Sequence, residues 1–163
     1  MDDLFAPPGN PWQPVSPALR QLRRTVLLIW SALGLLAIVV AATVFALPLL
    51  VTVALLVVLL SACVVAWLLI GRNVRFWAYA EREEDLYIKH GALFRELVAV
   101  PYGRMQYVDV TAGPLEQLFK VSTVHLHTAS PGTSARIPGL PREEAARLRD
   151  RLTSLGNAQA AGL

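Results

Sequence analysis

The sequence has no charged side chain between Arg24 and Arg72, although 17% of the whole chain is charged. That gap of about 47 residues excludes a soluble fold for the stretch, because a domain of about 160 residues lacks the polar surface to cover it. Cysteine is nearly absent. The single Cys63 excludes an intrachain disulfide and reads as a small apolar packing residue. Histidine is scarce, at three residues. His125 and His127 are two apart on an expected strand and share a face, but no third ligand accompanies them, so a metal centre is not expected. Ser122, Ser130 and Ser134 lack the G-x-S-x-G setting of a hydrolase nucleophile, and no glycine-rich loop opens a helix to cradle a phosphate. The chain therefore reads as a non-enzyme with no cofactor and no small-molecule substrate. From Arg72 onward twelve basic residues stand against ten acidic ones, a balance too even for a nucleic-acid binder.

What fills the gap is apolar. At about 1.5 Å per residue, roughly 20 apolar residues cross a bilayer core of about 30 Å, so the run fits two crossings. Pro48 lies near its middle, and residues 25–71 read as a hairpin with helices over about 25–47 and 48–70. Arg20, Arg23 and Arg24 precede the first helix, Arg72 and Arg75 follow the second, and the link between helices has no Lys or Arg. Positive charge confined to one side predicts a multi-pass protein of the plasma membrane with both termini cytoplasmic. A cleavable signal peptide does not fit, because the apolar region is too long and the preceding stretch, 6–17, is Pro-rich rather than basic. Residues 1–24 read as a cytoplasmic tail, disordered or loosely docked up to Ser16, and then a juxtamembrane helix capped by Ser16 with Pro17 in its first position. Trp12, Trp30, Trp67 and Trp77 read as anchors at headgroup level. Thr43, Thr52 and Ser61, the candidates for polar residues at depth, suit helix packing.

From residue 72 to about 156 the pattern turns short and alternating. Strands are expected at 74–79, 86–90, 94–100, 105–111, 123–128 and 134–137. Glu81, Arg82, Glu83 and Glu84 read as a solvated turn, Gly91 as the bend of a hairpin, and Ser130-Pro131-Gly132 as another turn. Along 105–111 Met105, Tyr107 and Asp109 are expected on one face, with Gln106, Val108 and Val110 on the other. Residues 115–119 suit a single helical turn. A last helix is expected to start at Pro141, with Ala145, Leu148, Leu152 and Leu155 on one apolar stripe and Glu143 spaced to pair with Arg147. Gly156 reads as its C-cap and 157–163 as a frayed tail. Six or seven antiparallel strands plugged by one helix make a small sandwich or open barrel.

The run Val100-Pro101-Tyr102-Gly103-Arg104-Met105-Gln106-Tyr107-Val108-Asp109-Val110 resembles the signature of the YdbS-like bacterial proteins. The resemblance continues through Gly113-Pro114-Leu115-Glu116-Gln117-Leu118-Phe119, residues 124–130, and Ile137-Pro138-Gly139-Leu140. Members join two transmembrane helices to a bacterial pleckstrin-homology (PH) like domain. The resemblance thus implies an α+β membrane protein: a two-helix transmembrane hairpin, then a PH-like small β-sandwich or barrel at 72–156, capped by a C-terminal α-helix. Where the family has Arg and Gly, this chain has Gln117 and Lys120, and a glycine there implies a positive φ that Lys120 must share under strain or avoid by a reshaped turn. The basic pocket of phosphoinositide-binding PH domains is not carried over, because Lys89, Arg95, Arg104, Lys120 and Arg136 are dispersed among acidic residues. The resemblance also implies a setting in envelope stress and resistance to membrane-active peptides.

Three functions stay open at this level. The first is a membrane-anchored interaction module that pairs with itself or with a second membrane protein. The second is a binder of anionic membrane lipids through juxtamembrane Arg20, Arg23, Arg24, Arg72 and Arg75. The third is a transporter subunit or enzyme accessory. Arg104, Lys120, Arg136 and Lys89 are the candidate contacts to a partner or headgroup. Arg104 follows a Pro-Tyr-Gly turn, and it reads either as such a contact or as a strut to carbonyls or Asp109.

Overall fold

The computed structural model describes residues 11–92, 94–128 and 134–160. The first ten residues of the tail and the turn expected at Ser130-Pro131-Gly132 lie outside them.

The uncharged run folds into α1 (Ala18–Val44) and α2 (Leu49–Arg75), each uninterrupted by proline because Pro17 and Pro48 stand just ahead of their first turns. Between them Ala46 takes a left-handed φ of 47° and reverses the chain. Both helices are longer than the spans of 25–47 and 48–70 read from hydropathy, but α1 gains its length ahead of residue 25 and stops at Val44, so 45–47 belong to the turn. Helix α1 already includes Arg20, Arg23 and Arg24, and α2 continues through Arg72 and Arg75. The apolar run marks where lipid ends, whereas backbone hydrogen bonding continues into the headgroup layer. Residues 74 and 75, expected in a first strand, are therefore helical. Gly34 lets the helices approach, since a Cβ there would stand 3.3 Å from Leu59 Cδ1. The hydroxyls of Thr43, Thr52 and Ser61 donate to carbonyls of their own helices.

Among the described residues seven antiparallel strands form two sheets. One is β1 (Gln13–Pro14), β2 (Ala78–Glu81), β3 (Asp85–His90) and β4 (Glu96–Pro101), in that spatial order. The other is β5 (Met105–Thr111), β6 (Val121–Thr128) and β7 (Ala135–Pro141). A 3-10 turn at Tyr102–Arg104 connects the sheets, the short α3 (Pro114–Leu118) connects β5 to β6, and α4 (Arg142–Ala160) closes the sandwich.

For residues 13–16, strand β1 corrects the reading of the tail as disordered or loosely docked. Gln13 pairs with Tyr79 and Pro14 with Ala78, Ser16 N–H donates to Gly139 O at 2.9 Å, and Val15 is buried. Proline suits such an edge because no ladder donor is needed there. Segment 13–16 and the PH-like sandwich consequently lie on the same side of the hairpin. The cap also shifts by one residue: Pro17 is the N-cap, while Ser16 Oγ accepts from Ala18 N–H at 3.2 Å.

The core is built around α4. Ala145, Leu148 and Leu152 are fully buried, Leu155 packs beside them, and they meet Tyr79, Leu86, Ile88, Tyr102, Leu126, Ile137 and Leu140. Each such large side chain contributes about 1.5–3 kcal/mol by leaving water. The alternation along β5 breaks at a bulge between Met105 and Tyr107, so Met105 joins Val108 and Val110 against the core instead of sharing a face with Tyr107. Helix α4 runs through Gly156 to Ala160, so Gly156 is no C-cap and 157–160 continue the helix, while 161–163 of the expected tail lie outside the described residues. Its start is Arg142, since Pro141 completes β7. Lys120 does adopt the positive φ that the family glycine implied, at 54°.

Two core regions come from the ends of the hairpin. Val15 and Leu19 enter from before the first crossing, and Val74 and Trp77 from after the second. Leu19 lies over Gly139, whose φ is +74° and whose missing Cβ would fall 2.6 Å from Leu19 Cβ. Trp77 is a core residue and not a headgroup anchor. It is 7% exposed, stacks on His90 at 4.7 Å, and donates its indole N–H to Asn73 Oδ1 at 3.1 Å.

Candidate functional site

Two polar constellations stand out. The first locks α4 to β2. Glu81, read above as part of a solvated turn, is buried and takes an ion pair from Arg147 and another from Arg151, whose Nε lies 3.0 Å away. Arg147 also forks onto Glu144, at 2.6 and 2.9 Å, and Tyr79 donates its hydroxyl to Glu144 at 2.6 Å. The expected Glu143–Arg147 pair is thus replaced by Glu144–Arg147. Burial first, and the Glu144 hydrogen bond next, push the Tyr79 phenol far up. The Arg147 guanidinium holds the Glu144 carboxyl below its ordinary value, and Glu144 in turn raises Arg147. This network floors an open cleft of about 720 Å³ between segment 11–17 and α4. Its charges satisfy one another, so it is a structural clamp.

The second constellation surrounds the helix ends that enter the domain. Arg23 Nη1 donates to Asn73 Oδ1 at 3.0 Å, tying α1 to α2. Arg24 lies over Trp67 with its guanidinium carbon 4.2 Å from the ring. Arg20 is half-exposed, and Arg72 and Arg75 are exposed in the last turn of α2, where cations complement the helix dipole. Lys89 Nζ sits 4.2 Å over Trp12, and its pKa is lowered by burial and by Arg95. Arg95 lies over Phe76. Arg136, exposed on β7, is near enough to act on Arg23 as a like charge. Phe94, on the turn between β3 and β4, is 90% exposed and faces a notch that it shares with Leu69 and Ile70 of α2.

The structure therefore brings Arg136 near Arg23 and places Lys89 beside Trp12. Arg104 and Lys120 stay apart from them. Arg104 is exposed next to Gly103, which faces Gln159 of α4, and among the described residues it has no hydrogen bond or ion pair, so the strut is not formed. Lys120 occupies the strained turn between α3 and β6. Phe94 and Asn73 were missed in the sequence. The signal for Asn73 was its placement four residues after Leu69, on the same helical face and one turn further along α2. His127 stacks on Tyr107 at 4.2 Å and His125 bonds Thr111 Oγ1 at 3.1 Å.

The fold is thus a two-helix apolar hairpin feeding a two-sheet sandwich with a C-terminal helix. A family model described as "Bacterial PH domain" matches residues 25–155. The transmembrane protein YdbS of Bacillus subtilis (strain 168) is 35% identical over 97 residues, which span 60% of this chain and 60% of that relative's length. Neither description names a catalytic activity. No solved structure matches. The chain belongs to the bacterial PH domain family, with its PH-like domain carried on a transmembrane helix hairpin.

Proposed function

We propose that this chain is a non-enzymatic interaction module, held at the cytoplasmic face of the plasma membrane, that assembles with copies of itself or with a second membrane protein. The observation that carries the reading is strand β4. It closes one edge of its sheet, with no strand beyond it among the described residues, and its middle, Leu97 to Val100, carries no charge, proline or bulge, Glu96 and Pro101 standing at its two ends. Soluble proteins blunt such edges with those devices, and an open edge is a template for an added strand. The core shared with Leu19 and Trp77 holds that edge at a fixed attitude to the membrane, where tethering raises the local concentration of partners toward the millimolar range. The cytoplasmic side is supported by Arg20, Arg23, Arg24, Arg72 and Arg75 flanking a hairpin whose far turn carries no cation. Reporter fusions at either terminus should both read cytoplasmic. Protection of the envelope against stress or membrane-active peptides is the physiological setting that the family resemblance supports.

Assembly is tested by cross-linking and mass spectrometry of full-length protein in mild detergent, for the wild type and for Leu97→Lys with Ala99→Lys. A second copy or one stoichiometric membrane protein is expected on the wild type and lost from the double variant, with insertion unchanged. A partner that persists on the variant would move the interface away from β4. A wild type found only as a monomer would end the assembly reading.

A second reading, the binding of anionic lipid at the juxtamembrane side, is favoured by one observation. Arg23, with Arg136 near enough to act on it as a like charge, shares a notch there with the exposed Phe94.

A further inference from the structure

The notch under the β3–β4 turn has two chemically distinct ends. Its walls are Leu69 and Ile70 of α2 and Ala92 and Phe94 of the turn, and its polar members are Arg23 and Asn73. Leu69 and Asn73 share a helical face one turn apart, about 6 Å along the axis, so the apolar walls lie toward the bilayer centre and the polar pair toward the domain. A phospholipid has the same polarity over the same distance.

The charges point the same way. Arg23 hydrogen bonds only the neutral Asn73 among the described residues, and the charged group that acts on it, Arg136, has the same sign. Among the described residues no acidic side chain lines the notch. A half-buried guanidinium with like charge beside it and no carboxylate is set up for an anion, which it meets through its remaining N–H groups. Phe94 supplies the second argument. A phenyl ring 90% exposed is out of place in water, but beside Leu69 and Ile70 it stands where aromatic rings favour the interface of a bilayer. A free phosphate would leave those apolar walls unmatched. The volume, about 410 Å³, accommodates a phosphate and the first part of one chain.

We propose that this notch binds one anionic phospholipid, its phosphate on Arg23 and an acyl chain along Leu69, Ile70 and Phe94. The proposal rests on the lipid reading above and is independent of assembly through β4. It turns a diffuse basic ring into one stoichiometric site.

The test is native mass spectrometry of delipidated full-length protein in detergent, titrated with phosphatidylglycerol or with phosphatidylcholine. One phosphatidylglycerol should be retained in preference to phosphatidylcholine. Arg23→Gln should weaken phosphatidylglycerol by about fivefold and erase the preference, as loss of one cation at a membrane surface predicts. Phe94→Ser, at a side chain exposed enough to leave the fold unchanged, should weaken both lipids while keeping the preference. Arg20→Gln, outside the notch, should change neither, and a thermal melt of each variant shows that the domain is intact. If Arg20→Gln weakens binding as much as Arg23→Gln, or Phe94→Ser has no effect, the notch is wrong and a diffuse ring stands. Equal retention of the two lipids by the wild type removes the notch and the lipid reading together. Displacement by millimolar glycerol phosphate would assign the site to a soluble ligand and overturn the proposal.

Discussion

In α1 and α2 the large apolar side chains face outward, with Leu50 82% exposed and Trp30 68%, whereas in the sandwich Leu148, Leu152 and Tyr102 are at 0%. The first arrangement leaves lipid as the solvent of the side chains and asks little of their shape. The second excludes every solvent and depends on fit. The two regions are therefore stabilised by different physics although one chain runs twice between them. Their junction obeys the second rule: Leu19 and Trp77, which belong to the helix ends by sequence, are packed as tightly as the domain's own residues.

Paired truncations should separate the two regions most strongly. Leu152→Ala is expected to cost the domain about 2–5 kcal/mol, while Leu50→Ala at a lipid-facing site changes stability by less than about 0.5 kcal/mol. Thermal denaturation in nanodiscs, alongside membrane fractionation, should show Leu152→Ala inserted but with a melted domain. Equal losses for the two variants would erase the distinction. Next in size is the junction itself. Gly139→Ala places a methyl group against Leu19 at a φ of +74°, and about 2 kcal/mol should be lost, seen as faster proteolysis at segment 11–17.

The clamp between β2 and α4 sharpens the contrast through pH, to which the uncharged hairpin is indifferent. Arg147, and then Tyr79, hold the Glu144 carboxyl below its ordinary value, with burial opposing them. A carboxyl lowered in the folded state adds stability above its unfolded pKa, near 4.5, and that stability disappears as pH falls through the folded value. Glu144→Gln should therefore cost about 1 kcal/mol at pH 7, and its melting temperature should converge on that of the wild type as pH falls below the ordinary carboxylate range. A gap that stays constant with pH would mean that Glu144 acts by packing. The smallest expected effect is a gain. Lys120→Gly relieves the left-handed φ of 54° and should stabilise the domain by about 0.5 kcal/mol in the same melts.

The hairpin was legible because 47 consecutive uncharged residues have few other solutions, and Lys120 because a family glycine marks a positive φ. The strands from 86 onward and the α4 stripe were legible from periodicity. What escaped depended on partners distant in sequence. Glu81 looked solvated among Arg82, Glu83 and Glu84, and it is buried because Arg147 and Arg151 arrive from α4. Trp77 looked like an anchor because hydropathy cannot see Asn73 and His90 closing around it. Strand β1 was hidden because two residues ahead of a proline-rich helix start carry no period. The β5 bulge was hidden because alternation has no mark for one extra residue. Of the candidate site, sequence supplied the arginines and geometry supplied Phe94 and Asn73, since only the fold brings the β3–β4 turn beside α2.

The chain joins the sandwich at Val15 before the first crossing and at Trp77 after the second, so both feet of the hairpin are set in one core. A helix of 27 residues is a lever about 40 Å long. Where the hydrocarbon layer is thinner than the apolar length, helices accommodate by tilting. With no slack at either foot, the sandwich must rotate with them. Bilayer thickness thereby becomes an angle, and the angle sets how far strand β4 stands from the lipid surface.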